Sequence, residues 1–368
     1  MTDALSKPNA FSESGRSVVS VSIETEQNTY RLDVPQQGVV LYEALRAGIP
    51  LAYSCASGTC GTCVARVTEG EVGDLWQAAP GLSAKARQAG RVLSCQSAVT
   101  SPVRLRASEG AACIRSLLPV PDYHVGRLVK TVALAPGVTE LQLQLDCAFT
   151  FIPGQFILVW FDGLSGPRAL SISNVERFPV DRVRLLVKPR QGGEFDALLR
   201  SADSSGMPLQ VFGPLGSACL YDESAHGEIT CVAGSTGIAP MLPILFDWVH
   251  RRAPGSARLV YGVRTGEDTV LLNEVIDLAK RSDGRLDVVI ALSEPRDGDV
   301  NNLQKQVRDF GRVVAGYAHD AVRELASDGS LSGIAFVSGP KPMVQATVKT
   351  LIVHGKLNPL AIRSDDFG

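Results

Sequence analysis

Alternating apolar and polar residues mark the first part of the chain and predict short strands. Residues 17–24 and 30–34 alternate at the period of half-buried strands, with a turn near Asn28, and so predict a hairpin. Residues 40–47 have the apolar spacing of a helix, and Gly48 follows where glycine commonly ends one. The pattern therefore predicts a hairpin followed by a helix.

Two further elements complete this N-terminal unit. Residues 64–72 predict another strand and residues 82–90 a short helix, so that the unit extends over 17–107. Residues 1–16 are polar and unpatterned, and we expect disorder there. Proline and glycine recur over 108–122 without helical pattern, which predicts an interdomain linker.

The rest of the chain divides into two patterns. Residues 141–145 and 183–187 alternate strictly, which predicts half-buried strands and an antiparallel barrel over 123–225. Beyond residue 226, short apolar strands alternate with helices up to residue 368, which predicts a parallel sheet with helical crossovers. The predicted fold class is therefore multidomain, with α+β and α/β parts.

The length and charge of the chain limit the classes of function that it can have. A chain of 368 residues is long for one core, which agrees with several domains. Its 36 Lys and Arg against 38 Asp and Glu lack the basic excess of nucleic-acid binding. We find no run of transmembrane length and no apolar stretch at the polar start, so we expect a cytoplasmic protein without a membrane partner.

Four cysteines carry the clearest chemistry. They are Cys55, Cys60, Cys63 and Cys95. The spacing C-x4-C-x2-C with one distant cysteine is the plant-type arrangement for a [2Fe–2S] cluster. Gly58 and Gly61 allow the tight curl that brings three thiols together. A four-cysteine zinc site or buried structural cysteines are the alternatives. The scattered cysteines are expected to be free thiols without a function: Cys113, Cys147, Cys219 and Cys231.

The predicted barrel carries candidate flavin residues. A flavin needs its pyrophosphate neutralised and its hydride-accepting ring kept from bulk water. Arg168 can meet phosphate, because its fork of donors matches phosphate geometry, and Ser171 can hydrogen-bond the ring. Gly192 and Gly193 can bring backbone amides close to phosphate. In isolation, Arg168 could equally be a solvated strand residue.

The C-terminal region carries candidate dinucleotide-binding residues. Gly234, Thr236 and Gly237 lie between an apolar strand and a helix, where amide donors and the positive helix end hold a pyrophosphate. A tight turn without a ligand is the alternative. The stretch 335–343 contains Gly339 and Pro340 and also ends a predicted strand where a nucleotide would lie.

These motifs in this order resemble known proteins. The N-terminal unit resembles the β-grasp fold of plant-type ferredoxins. The later motifs resemble the flavin and nicotinamide domains of the ferredoxin–NADP reductase superfamily. With the ferredoxin part first, and with residues 55–58 and 76–83 as they stand, the chain is most similar to reductase components of bacterial aromatic ring-hydroxylating dioxygenases.

The resemblance implies FAD rather than FMN, and further cofactor-binding residues. Ser173 and Lys188 are implied at the flavin. Leu170 stands where the family has a tyrosine stacked on the flavin, and Ser338 where it has a cysteine touching the nicotinamide. Phe367 resembles an aromatic tail covering the flavin, with a frayed end as its alternative.

The resemblance also bears on cofactor choice. Asp268 is placed as in NADH-using relatives, where a carboxylate accepts the ribose 2′-hydroxyl, and so favours NADH. Arg264 could instead pair with the 2′-phosphate of NADPH.

The modules together imply an electron-transfer reductase. NADH would reduce FAD, which would pass single electrons through the [2Fe–2S] cluster to a terminal oxygenase or a separate ferredoxin. Reductases of soluble diiron monooxygenases share these modules and stay an alternative. A flavin-less iron–sulfur electron carrier, in which Leu170, Asp196 and Ser338 mark lost flavin and nicotinamide sites, is the other.

Overall fold

Three β-sheets organise the chain, one in each region that the sequence patterns separate. The computed structural model describes residues 17–110, 118–175, 179–201, 205–220, 227–327, 329 and 331–367. The predicted disorder over 1–16 and part of the predicted linker lie outside these residues. No helix within the described ranges has the length and apolar character needed to cross a bilayer. The predicted fold class is confirmed, while the predicted domain boundaries stay predictions.

The N-terminal module is a five-stranded mixed sheet with a two-stranded addition. Its elements are β1 (Val18–Glu24), β2 (Thr29–Pro35), α1 (Val40–Arg46), β3 (Val64–Glu69), β4 (Val72–Asp74), α2 (Ala84–Gln88), β5 (Arg91–Leu93), β6 (Ser97–Val99) and β7 (Val103–Ala107). The sheet order is β2-β1-β7-β3-β5, with β1 and β7 parallel. Helix α1 buries Leu41, Tyr42 and Leu45 in this module's core, as in a β-grasp fold.

Two expected elements differ from the structure here. The strand expected over 64–72 is divided into β3 and β4 at Gly70, which has φ +76°, and a Cβ there would lie 2.2 Å from the Pro102 carbonyl oxygen. The helix expected over 82–90 is confined to α2, where the Ser83 hydroxyl accepts the Ala86 amide. Strand β5 and a 3-10 turn over Ser94–Gln96, rather than the helix itself, deliver Cys95.

The middle module is a six-stranded antiparallel sheet that curls on itself. Its elements are β8 (Asp122–Ala135), β9 (Val138–Phe149), β10 (Phe156–Phe161), β11 (Arg168–Ser171), β12 (Val180–Val187), α3 (Glu194–Arg200) and β13 (Pro208–Leu215). The order is β11-β10-β13-β8-β9-β12, and a bridge between Ile172 and Leu185 brings the two ends of the sheet together. The predicted barrel is therefore present.

The C-terminal module is a six-stranded parallel sheet. Its strands are β14 (Ile229–Gly234), β15 (Ala257–Val263), β16 (Leu286–Leu292), β17 (Gly311–Ala315), β18 (Ile334–Pro340) and β19 (Ile362–Phe367). Its helices are α4 (Ile238–His250), α5 (Leu272–Arg281), α6 (Asp299–Val307), α7 (Ala318–Ser327) and α8 (Lys341–Val353). The strand order is β17-β16-β15-β14-β18-β19. Successive strands are added in one direction from β14 to β17 and on the opposite side of β14 from β18 onward. The switch point between β14 and β18 is where ligands bind in open parallel sheets.

The first two modules share one hydrophobic core. The Tyr42 ring of α1 lies 4.9 Å from Phe212 and 5.9 Å from Trp160, centroid to centroid, and both partners belong to the barrel. Each of the three side chains is at most 4% exposed. Aromatic pairs of this geometry contribute about 0.5–1.5 kcal/mol beyond area burial. The junction is therefore packed like a domain interior.

A polar network lies beside this aromatic contact. The Tyr123 hydroxyl donates to Glu43 at 3.1 Å, and Arg46 pairs with Glu43 at 3.1 Å and with Asp122 at 2.7 Å. Desolvation raises the pKa of Glu43, and Arg46 and Tyr123 oppose that rise. The network ties α1 to the first residues of β8.

An ion-pair triad joins the barrel to the C-terminal module. Arg184 of β12 pairs with Glu140 of β9 at 2.7 Å and with Glu274 of α5 at 3.0 Å. Arg363 of β19 also donates to the Cys219 carbonyl oxygen at 2.6 Å. Side-chain contacts therefore hold both junctions.

We expect Phe212→Leu to weaken the first junction specifically. The smaller side chain removes packing against Tyr42, so the unfolding free energy should fall by about 1–3 kcal/mol and the N-terminal module should become more readily cleaved from the barrel. Thermal unfolding and limited proteolysis measure the two effects.

Phe161→Leu is the matched control, because Phe161 is also fully buried but lies in the barrel's own core. It should lower stability similarly without selective release of the N-terminal module. Equal release from both variants would show that the junction does not depend on the Phe212 ring.

Candidate functional site

The four motif cysteines come together as two pairs. The Sγ atoms of Cys63 and Cys95 lie 3.1 Å apart, at the start of β3 and just after β5. In the loop, the Cys55 amide donates to the Cys60 sulfur at 3.5 Å and the Cys60 amide to the Cys55 sulfur at 3.4 Å. The fold therefore brings together all four predicted ligands.

The pairing of the thiols bears on the kind of metal centre. Two thiol pairs suit two irons, each with two thiolate ligands. The loop curls as predicted, with Gly58 at φ +97° and Gly61 at φ +79°. This arrangement fits a [2Fe–2S] cluster.

Backbone amides surround the sulfurs of the loop. The Ser57 amide donates to the Cys55 sulfur and the Thr62 amide to the Cys60 sulfur, each at 3.5 Å. The hydrogen bond from the Cys60 thiol, together with donors from Thr59 and the backbone, lowers the pKa of Cys55. Such donors stabilise thiolate, the form that binds iron.

A cavity of about 600 Å³ opens where the three modules meet. It is bordered by two cluster cysteines, by residues of the barrel and by residues of the C-terminal module. Among the predicted cofactor residues, it is lined by Arg168, Leu170, Ser171, Lys188, Thr236 and Phe367. Cys55 and Cys95 of the N-terminal module line it too. The predicted cluster and flavin sites therefore face one shared space.

The barrel wall of the cavity fits a flavin. Ser171 ends β11 and is 6% exposed, while the Ser173 hydroxyl is buried and has no hydrogen-bond partner within the described residues. The Arg168 guanidinium donates to the Ser165 carbonyl oxygen at 2.9 Å and lies 5.8 Å from the Phe195 ring. Desolvation lowers the pKa of Arg168, and Glu194 opposes this. The half-buried Arg168 cation lines the cavity and suits an anionic ligand, whereas Ser173 does not line it.

The backbone amides of the predicted glycine turn already donate hydrogen bonds within the protein. Gly192 donates to the Asp196 carboxylate at 2.9 Å, and Gly193 donates to the Arg190 carbonyl oxygen at 3.0 Å. Asp196 lies in the first turn of α3, and its carboxylate also pairs with Arg200 of the same helix at 3.0 Å. The structure thus closes this turn with its own carboxylate, and neither glycine lines the cavity. A phosphate contact at these two residues stays a prediction.

The ends of β14 and β18 meet closely at the switch point. A Cβ on Gly237 would lie 2.1 Å from the Ser338 carbonyl oxygen, and one on Gly339 would lie 3.0 Å from the Gly234 backbone. Only glycine permits this approach. The Ser338 hydroxyl is fully buried and unpartnered among described residues. With Pro340 ending β18 and α4 starting at Ile238, this edge fits a dinucleotide.

Asp268 has a local structural role. Its carboxylate accepts the Thr265 amide at 3.1 Å and the Thr265 hydroxyl at 2.9 Å in a capping box. Its side chain also lies 3.9 Å from Lys188 and 4.0 Å from Arg264. Asp268 is 6% exposed. The predicted contact with a ribose hydroxyl stays a prediction.

The C-terminal strand places Phe367 in the cavity. Phe367 ends β19, opposite Pro340 of β18 in parallel register, so this residue is part of a sheet and not a frayed end. Asp365, which the sequence reasoning missed, lines the same cavity. Desolvation, with contributions from Asp366 and Cys55, raises the pKa of Asp365 to about 7. This carboxyl can therefore hold a proton near neutral pH.

Two further residues beside the cluster, Tyr53 and Trp76, were not predicted from the sequence as site residues. The Tyr53 hydroxyl accepts the Gly216 amide at 3.0 Å and so ties the cluster loop to the end of β13. Trp76 lines the cavity and packs on Gly58, where an added Cβ would lie 3.0 Å from the ring. The sequence feature that could have indicated Tyr53 is its position two residues before Cys55.

Comparisons with known proteins agree with this geometry. A family model for a 2Fe-2S iron-sulfur cluster binding domain matches residues 23–100, and one for an oxidoreductase NAD-binding domain matches residues 231–349. The chain is 35% identical over 305 residues to the ferredoxin–NAD(+) reductase component of an alkene monooxygenase system from Xanthobacter autotrophicus. That alignment covers 83% of this chain and 88% of the relative.

Solved structures of similar proteins share the whole arrangement. The ferredoxin reductase in carbazole 1,9a-dioxygenase has a TM-score of 0.79 and 27% identity, covering 96% of this chain and 99% of that one. A second structure of that reductase, its FAD apo form, has a TM-score of 0.74 and 26% identity, covering 96% of this chain and 100% of that one.

Cys95→Ser should remove the cluster and spare the flavin. A hydroxyl is a poor ligand for iron where thiolate is required, so the cluster absorption and the bound iron should be lost. The flavin absorption and its bleaching by NADH should persist. Visible spectra and iron analysis measure these outcomes. Cys147→Ser, at an exposed cysteine, is the control and should keep both chromophores.

Tyr53→Phe should slow electron transfer within the protein. The variant removes only the hydroxyl that holds the cluster loop to Gly216, so bleaching of the cluster after NADH addition should slow about tenfold. Flavin reduction itself should keep its rate in stopped-flow measurements.

Tyr30→Phe is the control, because the Tyr30 hydroxyl donates to Glu109 at 3.0 Å, away from the junction with the barrel. An unchanged cluster rate in Tyr53→Phe would show that the loop is positioned without this hydrogen bond.

Proposed function

Because the chain belongs to the family of ferredoxin–NAD(P) reductase components of oxygenase systems, we propose that it carries electrons from NADH to an oxygenase component or a separate ferredoxin. The observation that carries this proposal is the single cavity bordered by Cys55 and Cys95, by Ser171 and by Phe367. One space shared by all three modules allows electrons to pass within one chain.

The three cofactors have separate roles. The fold, the 2Fe-2S domain and the NAD-binding domain support a [2Fe–2S] cluster, FAD and a nicotinamide dinucleotide. Bound FAD supplies the conversion of a two-electron hydride into single electrons, and the cluster supplies a one-electron carrier. The protein residues bind and orient these groups and exclude water.

Residues of the barrel and of the C-terminal module meet at the reacting centre. Arg168 and Lys188, which line the cavity, would supply positive charge for the FAD phosphates, and Leu170 would pack beside the flavin. Ser171 offers a hydroxyl to the cavity from the barrel side, while the Ser338 hydroxyl in β18 is unpartnered among the described residues, fully buried and not part of the cavity lining. Ser171 would orient the ring that accepts the hydride, and Ser338 stays the candidate for the ring that gives it.

Preference for NADH over NADPH is part of this proposal. Arg264 is the cation at the end of β15 that could bind a 2′-phosphate, but it lies 4.0 Å from the Asp268 carboxylate. The nearby carboxylate partly neutralises this charge and repels a phosphate. The end of β15 therefore suits a ribose that carries only hydroxyls.

The class of oxygenase has two candidates. The structural likeness to the reductase in carbazole 1,9a-dioxygenase supports an aromatic ring-hydroxylating dioxygenase as the partner. The 35% identity to the alkene monooxygenase component supports a monooxygenase. Turnover with purified oxygenases of both classes would separate them, since only the matching oxygenase should consume oxygen efficiently.

Anaerobic visible spectroscopy tests the reductase function. We expect NADH to bleach both the flavin and the cluster bands, and NADPH to do so more slowly. Faster bleaching by NADPH would overturn only the nucleotide preference. Absent flavin bands, or a cluster that dithionite bleaches but NADH does not, would contradict the reductase and leave a flavin-less electron carrier.

A further inference from the structure

Three arginines lie side by side on the outer face of the N-terminal sheet. Arg66 of β3 is directly opposite Arg91 of β5 on one side and Arg106 of β7 on the other. All three are exposed. Like charges directly opposite each other across strands destabilise a sheet. This row is therefore unfavourable for the isolated module.

Two members of the row lack a compensating charge. Arg106 pairs with Glu24 at 3.4 Å. Within the described residues, Arg66 and Arg91 have no carboxylate within ion-pair distance, whereas their neighbour Arg104 pairs with Glu69 at 2.7 Å. The uncompensated positive charge is concentrated on β3 and on β5, the edge strand of the sheet.

This charge lies on the two strands that adjoin two cluster ligands. Val64 follows Cys63 directly and is opposite Leu93, which precedes Cys95 by two positions. The Arg66–Arg91 pair is two positions further along the same strands. At about 3.3 Å per residue, it lies on the order of 10 Å from the ligand backbone.

The barrel occupies the other side of the cluster loop. Cys55 and Cys95 line the cavity that faces the barrel and the C-terminal module. Tyr53 and Tyr42 bind this side of the N-terminal module to the barrel. Thr62, between Cys60 and Cys63, is exposed on the loop. Thr62 does not line the cavity, so within the described residues the loop offers an external electron acceptor an exposed approach on this outer side.

We propose that the outer face around Arg66 and Arg91 is the docking surface for the electron acceptor, and that this acceptor is a protein presenting a cluster of carboxylates. The inference rests on the proposed reductase function and adds the site and charge of the contact. Carboxylates placed between the arginines would relieve their mutual repulsion and speed encounter. The electron would leave the reduced cluster for the oxidised acceptor at this face.

Arg91→Glu separates docking from folding. It places a carboxylate opposite Arg66, so the variant should be at least as thermally stable as the natural protein. The probes are acidic cytochrome b5 and basic cytochrome c, with NADH as the reductant. At low salt, reduction of cytochrome b5 should fall about tenfold and reduction of cytochrome c should rise, and both changes should shrink as salt increases.

Lys305→Glu is the matched control, because it changes the charge equally on the exposed surface of α6 in the C-terminal module. It should leave both rates unchanged. A natural protein that fails to prefer cytochrome b5 at low salt, or an Arg91→Glu variant that changes both probes in the same direction, would overturn the proposal. Arginine-dependent binding to anionic vesicles without an effect on either cytochrome would assign the face to a membrane and also overturn it.

Bleaching of the protein's own flavin and cluster by NADH, recorded without acceptor, separates this inference from the proposed function. If the chromophores bleach normally while the acceptor rates contradict the expectation, only the docking surface is wrong. If they do not bleach, the reductase function itself fails.

Discussion

The packing of Tyr42 against Phe212 and Trp160 is the contact on which the rest of the arrangement depends. The cluster cysteines and the flavin residues lie on different modules, so no local structure can set the distance between them. A junction packed like a domain interior fixes that distance, because close-packed side chains allow few alternative positions. The Tyr53 hydroxyl and the Glu43 network then set the orientation of the cluster loop against the barrel.

The second junction brings the nucleotide edge to the same cavity. Parallel strands end at one edge of a sheet, and the reversal of order between β14 and β18 opens a crevice there. Gly237 and Gly339 let the two strand ends approach more closely than any side chain would permit. Strand β19 pairs with β18 and carries Phe367 into the cavity, so the sheet itself supplies part of the cavity wall.

Charge is distributed differently on the two sides of the cluster. The inner side packs against the barrel through Tyr42 and Tyr53 and borders the cavity, whose charged lining includes residues of the predicted cofactor sites. The outer side carries Arg66 and Arg91, which repel each other across the sheet. This repulsion lowers the stability of the free protein, and the carboxylates of a bound partner would relieve it. The free protein is therefore somewhat less stable, and association is more selective.

The sequence by itself determined the three modules, the four cysteines and part of the cavity lining, because strand alternation, glycine turns and ligand spacing are local properties. Tertiary structure alone decided the division of residues 64–72 at Gly70, where the Pro102 backbone leaves no room for a side chain. It also turned Asp196 onto the Gly192 amide and joined Tyr53 to Gly216. The contacts at Gly70 and Tyr53 join residues far apart in the chain, and the Asp196 contact depends on the direction in which a side chain turns. No periodicity encodes any of these, since they exist only once the modules have folded and packed together.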